Sequence, residues 1–186
     1  MLIVIAGAGN VGRAIARDLI KNGHEVTVID DDPSAIASAK KSGAKTVFAD
    51  ACEPDALDEA NLSKAQIVVA ATGDDKVNLV VSLLAKTEYG VPRVVGRVNH
   101  PKNEWLFDDA WGVDFAVSTP QMMTALVEEA VSVGELVRLF SLRQSGSDLL
   151  EVTLPSDSPV VGKRVGDVEW PIDTSLVAIL RYKRVI

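Results

Sequence analysis

Apolar residues along the first two thirds of the chain fall into two alternating patterns. Short, largely apolar runs are typical of buried strands, whereas apolar residues that recur every three or four positions are typical of helices packed on one face. Glycine, proline or acidic residues separate the two kinds of segment. Strands are predicted at 2–5, 25–30, 45–49, 66–71, 93–98 and 115–118, and helices at 11–20, 35–41, 55–60, 76–89 and 103–110.

This alternation predicts one α/β domain built on a parallel sheet. Six strands joined by helices give a doubly wound, six-stranded Rossmann-type sheet. Right-handed crossovers place the carboxyl ends of the strands at one edge, where open α/β sheets bind ligands. We therefore expect the residues that follow the strands to share one site.

The turn after the first strand has the chemistry of a dinucleotide site. Gly7, Gly9 and Gly12 have the spacing that lets backbone amides approach a pyrophosphate at a helix N-terminus. Asp30 ends the second strand 18 residues after Gly12. This is close to the spacing of about 20 expected for an acid that accepts hydrogen bonds from an adenosine ribose.

Further residues follow the other strands on the same edge. Asp50, Thr72 and Arg97 lie at or just beyond the ends of strands three, four and five, so one ligand could contact all of them. For Thr72 and Gly73 an ordinary turn is the alternative. Asp31 is a further candidate, for which a solvated acid beside a helix start is the alternative.

Charge and composition narrow the class of partner. The 186 residues are 47% hydrophobic and carry a formal net charge of −7. They can bury one full core and a smaller second one, but they lack the basic face that nucleic acid requires, so nucleic acid is not expected as a partner. Two distant histidines and one cysteine have no zinc-ligand spacing, and no metal site is expected.

The same composition indicates a cytoplasmic protein. With a single cysteine, Cys52, no internal disulfide can form. The start of the chain lacks the basic region and the cleavage site of a secretion signal. No apolar stretch reaches the roughly 20 residues of a membrane span, so direct membrane insertion is not expected.

After Thr119 the pattern changes. Apolar residues from Met122 to Phe140, Val133 among them, cover more of a helix than one domain can hide. We therefore expect a dimerisation helix over 119–141, with a terminal helix packed on its own sheet as the alternative.

The last part of the chain is typical of short strands and turns. Strands are predicted at 149–154 and 175–182. The predicted organisation is a nucleotide-binding domain at 1–118, the helix at 119–141, and a small, incomplete α+β C-terminal domain at 142–186.

Five separated motifs stand out over residues 1–140. They are Ile3 to Gly12, Asp30, Ala49 to Ala51 with the acidic turn after it, Ala71 to Asn78, and Val91 to Asn99. Together they resemble the TrkA-type regulatory subunits of Trk potassium uptake systems, which are built on the RCK domain, and the resemblance is specific because the motifs occur in that family's order. The tail resembles the opening of that family's C-terminal domain.

The resemblance implies a cytosolic regulatory protein that binds NAD(H), or in some members ATP and ADP. It also implies a homodimer that assembles into a larger ring and passes ligand-dependent motion to a membrane potassium-translocating subunit. Through that partner the protein would lie at the inner face of the membrane. The implied ligand site consists of Gly7, Ala8, Gly9, Asn10, Val11, Gly12, Asp30, Asp31, Asp50, Ala51, Thr72, Gly73, Asn78 and Arg97.

Within that implied site, different residues would contact different parts of the ligand. The glycines would hold the phosphates and Asp30 the adenosine ribose, while Asp50 and Ala51 would lie near the adenine. Thr72 and Gly73 would line the floor, and Arg97 would lie by the distal part of the ligand or at the subunit boundary.

Two residues bear on the identity of the nucleotide. In relatives that favour ATP an arginine can occupy the position of Asn10 and reach the terminal phosphate, so Asn10 favours NAD(H) over ATP. The carboxylate of Asp30 would repel a 2′-phosphate, which disfavours NADP.

An NAD-dependent oxidoreductase is the alternative function, because dehydrogenases share this sheet. Hydride transfer needs a group that moves a proton near the substrate. His100 is the candidate for that group, with a helix-capping or loop histidine as the alternative, and His24 lies at the far end of the sheet. The 46 residues after Phe140 are few for a substrate domain. We therefore expect no enzymatic activity, and a purely structural assembly module is a third reading.

Overall fold

Residues 2–98 alternate between strands and helices as predicted, with every boundary within two residues of its expected place. The computed structural model of the protein describes residues 1–131, 136–142, 146–181, 184 and 185. Its first six strands are β1 (Leu2–Ala6), β2 (Glu25–Asp30), β3 (Lys45–Phe48), β4 (Ile67–Ala70), β5 (Arg93–Val98) and β6 (Phe115–Ser118). Its first four helices are α1 (Asn10–Lys21), α2 (Pro33–Lys41), α3 (Pro54–Glu59) and α4 (Asp75–Thr87).

The six strands form one parallel sheet in the order β3-β2-β1-β4-β5-β6. The chain builds outward from β1 to β3 and then returns to place β4 on the other side of β1. This is the strand order of a Rossmann sheet, so the predicted fold class is confirmed. The direction of construction reverses between β1 and β4, where open α/β sheets bind ligands.

The sheet buries a separate core on each face. On one face Ile3, Ile5 and Val28 pack with Ala16 of α1 and Ala39 of α2. On the other face β-strand valines and alanines pack against α3 and α4, and these core residues include Val4, Val68, Leu57, Val81 and Val94. Because successive side chains of a strand point to opposite faces, the near-continuous apolar runs of the sequence are explained by burial on both sides.

The predicted helix at 103–110 is wrong in type. The chain instead makes two 3₁₀ turns, Pro101–Leu106 and Asp109–Trp111. Asp108 adopts an extended backbone between them and its carboxylate caps the second turn, so a continuous α-helix cannot form. The fully buried Phe107 anchors this connection against Gly96, where a Cβ would lie 2.9 Å from the Phe107 ring.

The long helix predicted at 119–141 is wrong in its second half. Helix α5 covers Thr119–Val131, and the next described segment is strand β7 (Leu136–Leu142), which pairs antiparallel with β8 (Ser147–Val152). The apolar pattern of β7 is compatible with both a helix and a strand. It forms a strand because it pairs with the neighbouring β8, and this pairing cannot be read from the periodicity of the sequence. Residues 132–135, including Val133 of the predicted apolar stripe, lie outside the described residues.

Among the described C-terminal residues, one predicted strand is shifted and the other is shorter than expected. Strand β8 lies two residues before the strand expected at 149–154. Of the strand expected at 175–182, Leu180–Arg181 form β9 and pair with β10 (Arg184–Val185), whereas 175–179 are not strand. An α+β domain at 142–186 stays a prediction.

Among the helices of the described ranges, none combines the length and the apolar character that crossing a bilayer would need.

At the amino edge of the sheet, one ion pair links α4 to strands β5 and β6. The Lys86 ammonium lies 2.8 and 2.9 Å from the two carboxylate oxygens of Asp114, and it also donates to the Pro92 carbonyl. Asp114 in turn accepts the backbone N–H of Val94 at 2.6 Å. The side chains of Lys86 and Asp114 are 34% and 23% exposed, so water screens this pair less than an ordinary surface pair.

We predict that Asp114→Asn lowers the free energy of unfolding by about 1–2 kcal/mol, because Lys86 loses its charged partner and the Val94 N–H loses a charged acceptor. Urea denaturation measures the effect. Glu25→Gln is the matched control, since Glu25 pairs with Lys45 on the exposed surface and should contribute little. Equal midpoints for Asp114→Asn and the unsubstituted protein would contradict the prediction.

Candidate nucleotide-binding site

The turn between β1 and α1 is tightly packed at two of its three glycines. Gly7 has φ +108°, and a Cβ there would lie 2.9 Å from backbone atoms of Ala71 and Thr72. A Cβ on Gly12 would lie 1.9 Å from the Gly7 carbonyl oxygen. By contrast, a Cβ on Gly9 would meet no atom within 4 Å. The fold therefore requires Gly7 and Gly12, while Gly9 leaves open space at the surface of the turn.

Gly9 is also where helix α1 begins. It occupies the N-cap position and no side chain caps the helix there. The first backbone N–H groups of a helix lack partners within the helix and carry its positive dipole end. Asn10, Val11 and Gly12 form this first turn, next to the open space over Gly9. The arrangement suits a phosphate or pyrophosphate.

Arg13 lies over the same turn and was missed by the sequence analysis. Its guanidinium donates to the Ala8 carbonyl, and it also donates to the Asn10 side-chain oxygen at 2.7 Å. Asn10 and Arg13 share a helix face because they are three residues apart. That spacing was the available signal. Arg13 thus brings a cation to within hydrogen-bonding distance of Asn10.

Asp30 connects the glycine turn to the end of β2. One carboxylate oxygen accepts the Ala8 N–H at 2.6 Å and the other accepts the Asp32 N–H at 2.8 Å. A carboxylate has about four acceptor positions, so two are left for hydroxyl donors such as a ribose diol. Asp32 caps α2 through the Ser34 N–H, and Asp31 is exposed between the two acids. Asp30 therefore holds the turn in shape as well as facing the ligand edge.

The segment after β3 contributes Asp50 and Ala51. Asp50 is exposed and accepts the Cys52 N–H at 2.8 Å, while Ala51 is buried in the core beneath. Burial, together with the Asp50 carboxylate, raises the pKa of the Cys52 thiol to about 11. The thiol is therefore protonated at neutral pH, which does not suit a nucleophile or a metal ligand.

Thr72 lies at the end of β4, directly beside Gly7. Its N–H and its hydroxyl lie 2.9 and 2.7 Å from the Asn78 side-chain oxygen. Asn78 is fully buried and also donates to the Arg97 carbonyl at 2.9 Å. The structure thus places the Asn78 side chain below the ligand edge, where it holds the ends of β4 and β5 together. Gly73 is exposed next to Thr72.

Arg97 is the sole predicted site residue with an unsatisfied buried donor. Its Nε atom is buried and has no hydrogen-bond partner among the described residues. An unpaired buried donor costs free energy, which a ligand or another chain could recover. Both roles that the resemblance implies for Arg97 stay predictions.

Asp75 and Asn99 form a polar junction that the sequence analysis also missed. Asp75 is 7% exposed and accepts hydrogen bonds from Asn99, His100 and Asn103. Burial by itself would raise the pKa of the Asp75 carboxyl, but these hydrogen bonds outweigh burial and lower it below the usual value. Asp75 is therefore a buried, charged anchor at the start of α4.

His100 has a structural role. Its Nδ1 atom accepts the Lys102 N–H at 3.2 Å and so caps the 3₁₀ turn Pro101–Leu106. The helix-capping alternative for this histidine is confirmed. In the described part of the chain, His, Cys, Asp and Glu side chains form no cluster of three or more that could hold a metal ion.

Comparison with known proteins identifies the family of this chain. The TrkA-N domain family matches residues 3–119, which include the glycine turn and all of the six-stranded sheet except Leu2. The chain belongs to the TrkA-N domain family. The resemblance found from five sequence motifs is thereby confirmed.

Among relatives of this family member, the Trk system potassium uptake protein TrkA of Mycobacterium tuberculosis is 53% identical over all 186 residues, which cover 84% of that protein. A TrkA homolog of Methanothermobacter thermautotrophicus is 34% identical and is covered to 82%. The structure of the GsuK channel bound to NAD superposes with a TM-score of 0.66 at 18% identity, over 75% of this chain and 25% of that one. At this identity the GsuK likeness shows the fold alone.

We predict losses of stability of very different size for alanine at two glycines of the turn. Gly12→Ala should lower the free energy of unfolding by at least about 3 kcal/mol, because the added Cβ would overlap a backbone carbonyl that cannot rotate away. Gly9→Ala should cost no more than about 1 kcal/mol, since the space is open and φ is −63°. Thermal or urea unfolding of the two variants tests this, and similar losses would contradict the close approach at Gly12.

Proposed function

We propose that the chain is the cytoplasmic, NAD(H)-binding regulatory subunit of a Trk-type potassium uptake transporter. The observation that carries the nucleotide part is the uncapped N-terminus of α1 with open space over Gly9, next to the carboxylate of Asp30. A pyrophosphate would lie against the helix start, and the adenosine ribose would donate to the free acceptor positions of Asp30.

NAD(H) fits this edge better than ATP or NADP. Asn10 offers no cation of its own to a terminal phosphate, and Arg13, the nearby cation, is already engaged by Ala8 and Asn10. The Asp30 carboxylate favours a ribose diol over a 2′-phosphate. ATP and ADP are the alternative ligands. The GsuK channel bound to NAD and the GsuK structure bound to ADP share this fold, which supports an adenosine ligand here.

The membrane partner is proposed from the relatives. The 53% identical Mycobacterium protein is named for a potassium uptake system. We propose that this chain acts on the membrane potassium-translocating subunit of such a system, from the cytoplasmic side and without inserting into the bilayer. Nucleotide binding would favour one orientation of paired domains and so shift the population of transporter states.

The exposed surface of helix α5 supports the proposal that the protein acts as a homodimer. A larger ring would then be built from such dimers. The exposed apolar side chains of α5 are Met122, Met123, Leu126, Val127 and Val131. Several exposed apolar side chains grouped on one helix are typical of protein interfaces. The charge of −7 gives no reason to expect nucleic acid on this surface.

An NAD-dependent oxidoreductase is the alternative function. The described site offers few groups that could transfer a proton or act as a nucleophile in such a reaction. The His100 Nδ1 atom is engaged in capping and the Cys52 thiol is held protonated. Turnover of NADH with a simple carbonyl compound would favour this alternative over the regulatory role.

Calorimetric titration with NADH, NAD, ATP and ADP tests the nucleotide proposal. We predict that Asp30→Asn weakens NADH binding by about 1–3 kcal/mol, roughly 5- to 150-fold. The amide would set an NH₂ group against the N–H of Ala8 or Asp32, and it would lose the charge that attracts the ribose hydroxyls. Asp109→Asn, which makes the same charge change on an exposed turn, is the control. No binding of any of the four nucleotides would refute the proposal.

We further predict that Leu126→Asp weakens self-association at least about tenfold, because a carboxylate would replace a leucine that is 55% exposed in the monomer and covered in a dimer. Sedimentation velocity over a concentration series measures this. Glu128→Gln, on an exposed position of the same helix, should have little effect. A monomeric unsubstituted chain at high micromolar concentration would speak against the dimer.

A further inference from the structure

The 3₁₀ turn Pro101–Leu106 leaves β5 at the ligand edge and carries Trp105, which is 74% exposed. A large exposed aromatic side chain is uncommon at such a position. Two hydrogen bonds to one Asp75 oxygen hold the turn: the His100 N–H donates at 3.0 Å and the Asn103 side-chain amide at 2.8 Å. The position of the turn therefore depends on Asp75.

The other Asp75 oxygen is held by Asn99. It accepts the Asn99 backbone N–H at 2.6 Å and the Asn99 side-chain amide at 3.0 Å. With four donors, the acceptor positions of the Asp75 carboxylate are filled by protein groups. The Asp75 carboxylate thus has no free acceptor position for a ligand. It can affect the nucleotide site only through the residues that it holds in place.

Asn99 connects this anchor to the floor of the nucleotide site. Its side-chain amide has two hydrogens, and besides Asp75 it donates to the Thr72 carbonyl at 3.0 Å. The buried Asn78 also donates to that carbonyl, at a longer 3.3 Å. The Thr72 carbonyl, which belongs to the Thr72–Gly73 peptide, is therefore held partly by α4 and partly by the segment that follows β5.

Thr72 in turn contacts the glycine turn. The close approach of Gly7 leaves no room for a Cβ between it and the Ala71–Thr72 peptide. A shift of Gly7 toward that peptide when phosphates bind at the α1 N-terminus would therefore displace it, because packed backbone atoms are hardly compressible. A continuous set of contacts runs from Gly7 through Thr72, Asn99 and Asp75 to Pro101–Leu106.

We propose that Asn99 and Asp75 act as positioning residues that couple nucleotide binding at the glycine turn to the 3₁₀ turn carrying Trp105. This inference rests on the proposed nucleotide function. Binding of the nucleotide then changes the dynamics of Pro101–Leu106. Because coupling between two sites is reciprocal, a change in the conformation of that turn also changes the affinity for the nucleotide. The contact chain is a spatial observation, and the coupling is what the experiment measures.

The test is amide hydrogen exchange of the full chain, with and without saturating NADH, together with calorimetry. In the unsubstituted protein NADH should change the exchange of the amides of His100 and of Lys102 to Leu106 by at least about threefold. Asn99→Ala removes the link to Thr72 but leaves the His100 and Asn103 donors on Asp75. In Asn99→Ala, the amides of this turn should exchange at nearly the rate of the unsubstituted protein when NADH is absent. Adding NADH should no longer change that rate. Asp75→Asn should speed exchange of the turn without NADH and also abolish the response.

Asp109→Asn, in the next turn, is the control that should keep the response. Bound NADH with no change in the exchange of the turn in the unsubstituted protein would overturn the coupling while leaving the nucleotide proposal intact. A response retained in both Asn99→Ala and Asp75→Asn would overturn it as well. Calorimetry that finds no NADH, NAD, ATP or ADP binding to the unsubstituted protein would instead refute the nucleotide proposal and this inference together.

Discussion

The nucleotide edge depends on one steric constraint, the close approach of three backbone segments where β1, α1 and β4 meet. Gly12 lies against the Gly7 carbonyl, and Gly7 lies against the Ala71–Thr72 peptide. Without side chains at Gly7 and Gly12, helix α1 can start directly above the end of β1, and its N-terminus points into the gap where the sheet order reverses. The same closeness prevents the glycine turn and the Thr72 peptide from moving independently.

Hydrogen bonding stabilises this crowded arrangement and prepares it for a ligand at the same time. Asp30 ties the glycine turn to β2 through Ala8 and keeps two acceptor positions free. Arg13 bonds the outer side of the turn through Ala8 and Asn10. A site whose geometry is already held by the protein loses little conformational entropy on binding. The residues that shape the turn are thus also the ones proposed to contact the nucleotide.

The sequence was sufficient for the sheet, and for the parts of the site that depend on backbone position. Strand ends, the glycine spacing and Asp30 follow from local pattern, because parallel crossovers bring strand ends to one edge. Side-chain networks were not predictable in this way. The contacts of Asp75 with Asn99 and Asn103 join residues 24 and 28 positions apart, and nothing in either local pattern indicates the partner. Strand β7 was missed for the same reason, since its identity depends on pairing with β8.

The openness and the charge of the edge both suit the proposed regulatory role. Asp30, Asp31 and Asp50 lie at or just beyond the carboxyl ends of β2 and β3 at the edge proposed for an anionic dinucleotide, and the net charge of −7 adds repulsion at longer range. The positive N-terminus of α1 and the Arg13 guanidinium offset this repulsion locally. Their attraction has a short range, because the edge is exposed to solvent and salt screens it. An enzyme that uses a nicotinamide cofactor gains from enclosing it and excluding water. A regulatory site must instead release its ligand when the cellular concentration falls. An edge held rigid by Gly7 and Asp30 but left open over Gly9 meets that second requirement.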